Sequence, residues 1–114
     1  MMPVTQPKMG GVFQSNNGTA LTSNSDYVYQ VVYLAFAPSL SNGRINVVVH
    51  NDITGYAGQH YNWCYSLDNG STYTQVANGV SKDIDLSGVT YLKIGIYNNK
   101  NSYNITYDYT IEMI

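Results

Sequence analysis

The 114-residue chain carries five Lys or Arg against seven Asp or Glu, a formal net charge of −2. Only 11% of its residues are charged, far below the ~25% of ordinary soluble domains, so Asn, Ser, Thr and 12 tyrosines must keep its surface wet. The basic residues Lys8, Arg44, Lys82, Lys93 and Lys100 are scattered, which argues against a phosphate-neutralising patch, and the longest apolar run, Val31 to Ala37, falls far short of the ~20 residues of a membrane-spanning helix. Neither a nucleic-acid partner nor membrane insertion is expected.

One domain is expected, because single cores commonly close at ~100 to 150 residues. Met1 to Ser25 is rich in Pro, Gly, Asn, Ser and Thr, with a short apolar island at Val12 and Phe13. This segment reads as an extended arm with one weak strand, ahead of a β domain from Asp26 to Ile114. Such an arm reads either as a flexible terminus or as a tie between neighbouring subunits, and the second reading makes Val12 and Phe13 candidate assembly contacts. The first residues lack the charged and apolar segments of a secretory signal. Cytoplasmic synthesis followed by exposure on a virion or another extracellular surface fits this, together with the single Cys64.

From Asp26 the pattern becomes regular. Tyr27 to Ala37 has β-branched and aromatic residues on both parities, as in a strand covered on both faces, and Pro38 ends it. Asn42-Gly43 is a hairpin signal leading into Ile45, Val47 and Val49 on one face. After Gly55 and Gly58, the parity of the next strand places Tyr61, Trp63, Tyr65 and Leu67 inward and Asn62, Cys64 and Ser66 outward. A turn at Asp68 to Ser71, a strand ending at Val76 and a turn at Asn78-Gly79 follow. Next, Ile84 and Leu86 face inward and Asp83 and Asp85 outward. Leu92, Ile94 and Ile96 continue the core, as do Ile105, Tyr107, Tyr109, Ile111 and Met113. About eight short strands with regular turn residues predict an all-β antiparallel sandwich, immunoglobulin-like or jelly-roll, with a small closed barrel as the alternative.

Ser66, Asp68, Gly70, Thr72 and Tyr73 follow the spacing Ser-x-Asp-x-Gly-x-Thr-aromatic. This resembles the Asp-box hairpin of sialidase-type β-propellers, with Tyr73 where that motif has Trp or Phe. The resemblance covers about eight residues, and it implies a structural turn in which the Asp68 carboxylate accepts amide bonds and Gly70 takes a backbone angle that other residues avoid. A sialidase-type enzyme would need several such boxes and an arginine cluster, whereas the chain has one box and one arginine.

Cys64, between Trp63 and Tyr65, reads as a small packed hydrophobe rather than a nucleophile. His50 to Asp52 with His60, and Asp83 with Asp85, lack the density of zinc or calcium ligand sets, so neither metal nor cofactor is expected. Asp83 and Asp85 stand ~7 Å apart along a strand, within reach of a glycosidase pair, but they read as a solvated outer face. A site assembled from distant loops around His50 and His60 is the enzymatic alternative. The sequons at Asn17, Asn69 and Asn104 are those expected by chance in an Asn- and Thr-rich chain. The expectation is a non-catalytic structural or adhesive subunit that self-associates or joins other structural proteins, as in a virion, filament or surface layer. The runner-up is a carbohydrate-binding module. Of the exposed-parity tyrosines Tyr27, Tyr29, Tyr33, Tyr91 and Tyr97, it would use Tyr33, Tyr91 and Tyr97 to stack sugar rings, while Trp63 lies on the core parity.

Overall fold

The computed structural model describes residues 12–21, 30–38, 43–56, 58–89, 91–98 and 104–114. Alternating apolar residues form strands β1 (Val12–Leu21), β2 (Gln30–Pro38), β3 (Arg44–Ile53), β4 (Asn62–Ser66), β5 (Thr74–Val76), β6 (Lys82–Asp85), β7 (Tyr91–Asn98) and β8 (Asn104–Met113). Among the described residues there is no helix, and so none long and apolar enough to cross a membrane. The strands form two antiparallel sheets, ordered β1-β8-β3-β6 and β2-β7-β4-β5. The fold is all-β and sandwich-like.

Ile45, Val47 and Val49 on β3, Ile84 on β6, and Tyr109, Ile111 and Met113 on β8 meet Trp63 and Tyr65 on β4 and Leu92 and Ile94 on β7 in one buried cluster. Each full burial of such a side chain contributes about 1.5–3 kcal/mol, so the two inner faces hold the sheets together. Residues Val12–Leu21 are an integral edge of the first sheet, paired with β8 from Val12↔Glu112 to Leu21↔Asn104. Phe13 falls where that register shifts, between Val12 and Gln14.

Two sequence expectations need correction. The hairpin expected at Asn42-Gly43 is not made by β2 and β3, which lie in different sheets, and Asn42 itself lies outside the described residues. The dipeptide is a local turn signal, whereas strand partners are chosen by which faces must be covered: β2 pairs with β7, and β3 with β8 and β6. Among the described strands, only β4 and β5 are both consecutive and paired. Secondly, β4 is buried on both parities. Cys64 and Ser66 are as inaccessible as Trp63, while Leu67, expected inside, is 38% exposed. Cys64 is short and lies in register between Gly95 and Gln75, and Ser66 turns its hydroxyl into the chain reversal that begins at Leu67.

Beyond the apolar core, one polar side chain joins the sheets. Asn51 sits on the inward parity of β3 and is 2% exposed. Its Nδ2 donates to the Tyr61 carbonyl (2.8 Å) and to Asn78 Oδ1 (3.1 Å), and its Oδ1 accepts from the Tyr61 amide (2.9 Å). Its own amide also donates to Asn78 Oδ1 (2.7 Å). Tyr61 leads into β4 of the second sheet, and Asn78 lies in the crossover from β5 to β6. The same crossover donates Gly79 N–H to the Val49 carbonyl (2.9 Å) and accepts Trp63 Nε1–H at the Val80 carbonyl (3.0 Å).

Truncation of Asn51 would remove the side-chain partners of the Tyr61 amide and carbonyl in a part-buried setting, while Asn78 Oδ1 keeps the residue-51 backbone amide. Asn51→Ala is therefore expected to cost about 2–4 kcal/mol, read as a lower urea midpoint with an unchanged m-value. A loss below about 0.5 kcal/mol would show that water replaces these bonds freely.

Candidate functional site

The β4–β5 turn is built from its own side chains. Ser66 Oγ donates to Asp68 Oδ1 (2.6 Å) and accepts the Gly70 amide (2.8 Å), while Asp68 takes the Thr72 amide on Oδ1 (2.9 Å) and the Thr72 hydroxyl on Oδ2 (2.5 Å). Gly70 has φ +92°, and a Cβ there would stand 3.3 Å from the Tyr73 hydroxyl and 3.6 Å from Lys93 Nζ. The positive φ selects glycine, while the side-chain ends nearby could move aside. The Ser66 and Thr72 hydrogen bonds stabilise the ionised carboxylate, so Asp68 is lowered to about 2 even though it is exposed. Both Asp68 oxygens are engaged within the turn.

Most of the other titratable candidates are also held in structural contacts. Burial pushes the Cys64 thiol up to about 12, against a smaller opposing effect of its hydrogen bond with the Gly95 backbone. At neutral pH the sulfur is protonated and weakly nucleophilic. His50 Nδ1 lies 3.4 Å from Asp108 Oδ1 on β8, and both side chains are exposed. His60 lies in the exposed connection before β4. Asp83 accepts the Asn46 side-chain amide at 2.7 Å, and Asp85 accepts the Ser87 amide at 2.9 Å. The Ser87 backbone bond is the main cause that holds the Asp85 carboxyl below its ordinary value, with Arg44 adding a weaker attraction. Among the described residues, no three His, Cys, Asp or Glu side chains converge to hold a metal ion.

The outer faces of the two sheets differ in chemistry. By register and parity, the first presents Asp52, Asp83, Asp85, Asp108 and Glu112, five of the seven acidic residues of the chain. The second presents Asn62, Gln75, Lys93 and Tyr97, with no carboxylate on its strands at that parity. Tyr97 is opposite Asn62, whose Nδ2 donates to Gln75 Oε1 at 3.2 Å. Register brings the Tyr33 and Tyr91 positions into this sheet as well, opposite Gly95 and Pro38. Tyr27 and Tyr29 lie outside the described residues.

At one end of the sandwich, the β3–β4 connection folds back on itself. Ile53 N–H donates to Gln59 O (2.9 Å), Tyr56 N–H to Ile53 O (3.1 Å) and Gln59 N–H to Tyr56 O (3.0 Å), and Thr54 N–H ties the loop to Asn104 O (2.8 Å). Tyr56, 51% exposed, is presented on this ordered loop, and Val80 is equally exposed on the β5–β6 crossover. Sequence reasoning missed Asn51, although a polar residue in the inward phase of Ile45, Val47 and Val49 was a readable signal. It also passed over Asn62 and Gln75, whose pairing depends on strand register. No protein-family model matches this chain, and no curated protein matches it.

The Asp68 carboxyl titrates below its ordinary value in the folded chain, so its contribution to the turn is fully present above pH ~4. That contribution is lost as pH falls through about 2. The Thr72 amide resonance is expected to titrate with a midpoint near 2. Asp68→Asn is expected to abolish that titration and lower the thermal midpoint at neutral pH. A wild-type midpoint at the ordinary ~3.9 would rule out the bonded turn in solution.

Proposed function

We propose that the protein is a non-catalytic structural or adhesive subunit, a small component of a virion or of a surface filament or layer, acting outside the cell. The observation that carries the reading is the strand order β1-β8-β3-β6 against β2-β7-β4-β5. Apart from β4 and β5, consecutive described strands lie in different sheets, an order that supports a two-sheet jelly-roll reading. This architecture recurs in capsid and lectin domains. Because a fold alone does not specify an activity, the state of the side chains matters as much. Asp68, Asp83 and Asp85 support turns or strand pairing, and Cys64 is held as a buried thiol, so these groups are engaged in structure. A surface of amides, hydroxyls and tyrosines with few charges also costs little to desolvate on contact.

Light scattering behind a sizing column, across a concentration series, tests this. The full chain is expected to run above its monomer mass of 12.6 kDa. A truncation that probes the arm should stop at Gly11, because Val12–Leu21 is paired with β8 and its removal would strip a strand from the sheet. Loss of assembly on deleting residues 1–11 would make the arm the linker. A strict monomer at high concentration would count against the subunit reading.

A second reading, carbohydrate binding, is favoured by the grouping of Tyr97, Asn62 and Gln75 on a carboxylate-free sheet face. An aromatic ring beside paired carboxamides offers stacking and hydroxyl recognition together. Asn62→Ala and Tyr97→Ala are each expected to reduce binding on a glycan array at least tenfold while leaving the fold intact. A blank array with wild-type protein at high concentration would remove this reading.

A further inference from the structure

Four Asn-Gly steps occur in the chain, at Asn17-Gly18, Asn42-Gly43, Asn69-Gly70 and Asn78-Gly79. Asparagine is thermolabile, and most so before glycine, where no Cβ hinders the following amide nitrogen as it turns back on the carboxamide. In an unfolded chain the four steps would age at similar rates. Folding separates them.

Asn17 and Gly18 stand in the paired middle of β1, opposite Asp108 and Tyr107, where the backbone is held extended. At Asn78-Gly79 both reacting groups are occupied. Asn78 Oδ1 accepts the Asn51 backbone amide (2.7 Å) and side-chain amide (3.1 Å), and the Gly79 N–H donates to the Val49 carbonyl (2.9 Å). The His50 ring also stands 3.2 Å from where a Gly79 Cβ would be. These bonds belong to the clasp that joins the sheets, so reaction there requires the clasp to open.

Asn69-Gly70 differs. Asn69 is exposed and holds φ +59°, in the left-handed region, and its carboxamide has no partner among the described residues. The Gly70 N–H is restrained by one side-chain hydroxyl, Ser66 Oγ at 2.8 Å.

We propose that Asn69-Gly70 is a modification site, deamidating through a succinimide, with the Ser66 hydroxyl as its brake, while Asn51 keeps Asn78-Gly79 intact. The Gly70 nitrogen attacks Asn69 Cγ, and the new N–Cγ bond closes the ring. The carboxamide nitrogen leaves as ammonia, taking up the Gly70 amide proton. Water then opens the ring at one of its two carbonyls. Breaking the N–Cγ bond leaves aspartate, and breaking the bond from nitrogen to the backbone carbonyl carbon leaves isoaspartate, with the chain routed through the side chain. Either product adds a carboxylate beside Asp68, and isoaspartate also lengthens the turn by a methylene. Both changes oppose the geometry that holds Gly70 on Ser66, so the β4–β5 turn loosens as the protein ages. This chemistry is independent of the function that the chain serves.

Peptide mapping by mass spectrometry, on the full chain incubated folded and in urea at mildly alkaline pH, tests this. Each event raises the peptide mass by about 1 Da. In the folded wild type Asn69 is expected to convert at least tenfold faster than Asn78, and in urea the two rates are expected to converge. Ser66→Ala is expected to speed Asn69 at least fivefold without affecting Asn78, and Asn51→Ala to speed Asn78 without affecting Asn69. Equal rates in the folded wild type, or a faster Asn78, would overturn the site. A folded Ser66→Ala chain with an unchanged Asn69 rate would overturn the brake. Should either variant fail to fold, both steps would speed up together, and the ratio of the two rates in the folded wild type decides.

Discussion

The sandwich depends on Asn51. A carboxamide on the inward face of β3 has no favourable place in an apolar core unless its donors and acceptor are all engaged. Here they reach Tyr61 at the entrance to β4 and Asn78 in the β5–β6 crossover, so one side chain fixes the spacing of two sheets and the path of the segment that crosses between them. Apolar packing against Ile45, Val47 and Val49 is non-directional and by itself discriminates weakly between registers of the two sheets. The directional bonds of Asn51, with Gly79 on the Val49 carbonyl and Trp63 on the Val80 carbonyl, select one.

That selection matters because nearly every connection in the fold is a crossover. Hairpins define their own register through the turn, but strands that leave one sheet for the other gain no such help. Among the described strands, β4 and β5 form the one consecutive pair that does, and their turn is internally complete, with Ser66, Asp68 and Thr72 satisfying each other and the amides of Gly70 and Thr72. The chain thus places its most self-sufficient turn where a local signal suffices, and a buried polar clasp where the partners are distant in sequence.

The surfaces follow from the same geometry. Strand parity collects five of seven acidic residues on the outer face of the β1-β8-β3-β6 sheet, and leaves Tyr97, Asn62, Gln75 and Lys93 on the other. A carboxylate-free face of aromatic and carboxamide groups suits either stacking on a sugar or packing against protein, which is why both readings meet on this sheet.

The all-β class, the inward phase of Ile45, Val47, Val49, Ile84, Ile94 and Ile111, the buried Trp63 and the shape of the Asp68 turn were all legible in the sequence, because each rests on residues within a few positions of one another. Period-two burial and short-range side-chain bonds are local physics. Which strands pair, that β2 and β3 lie in different sheets instead of forming a hairpin, that Cys64 and Ser66 are buried beside Trp63, and that Asn51 meets Asn78 and Tyr61 were decided only by the tertiary structure. Those features depend on contacts between distant segments, whose energies come from covering whole faces and satisfying buried polar groups, and no single stretch of the chain contains both partners.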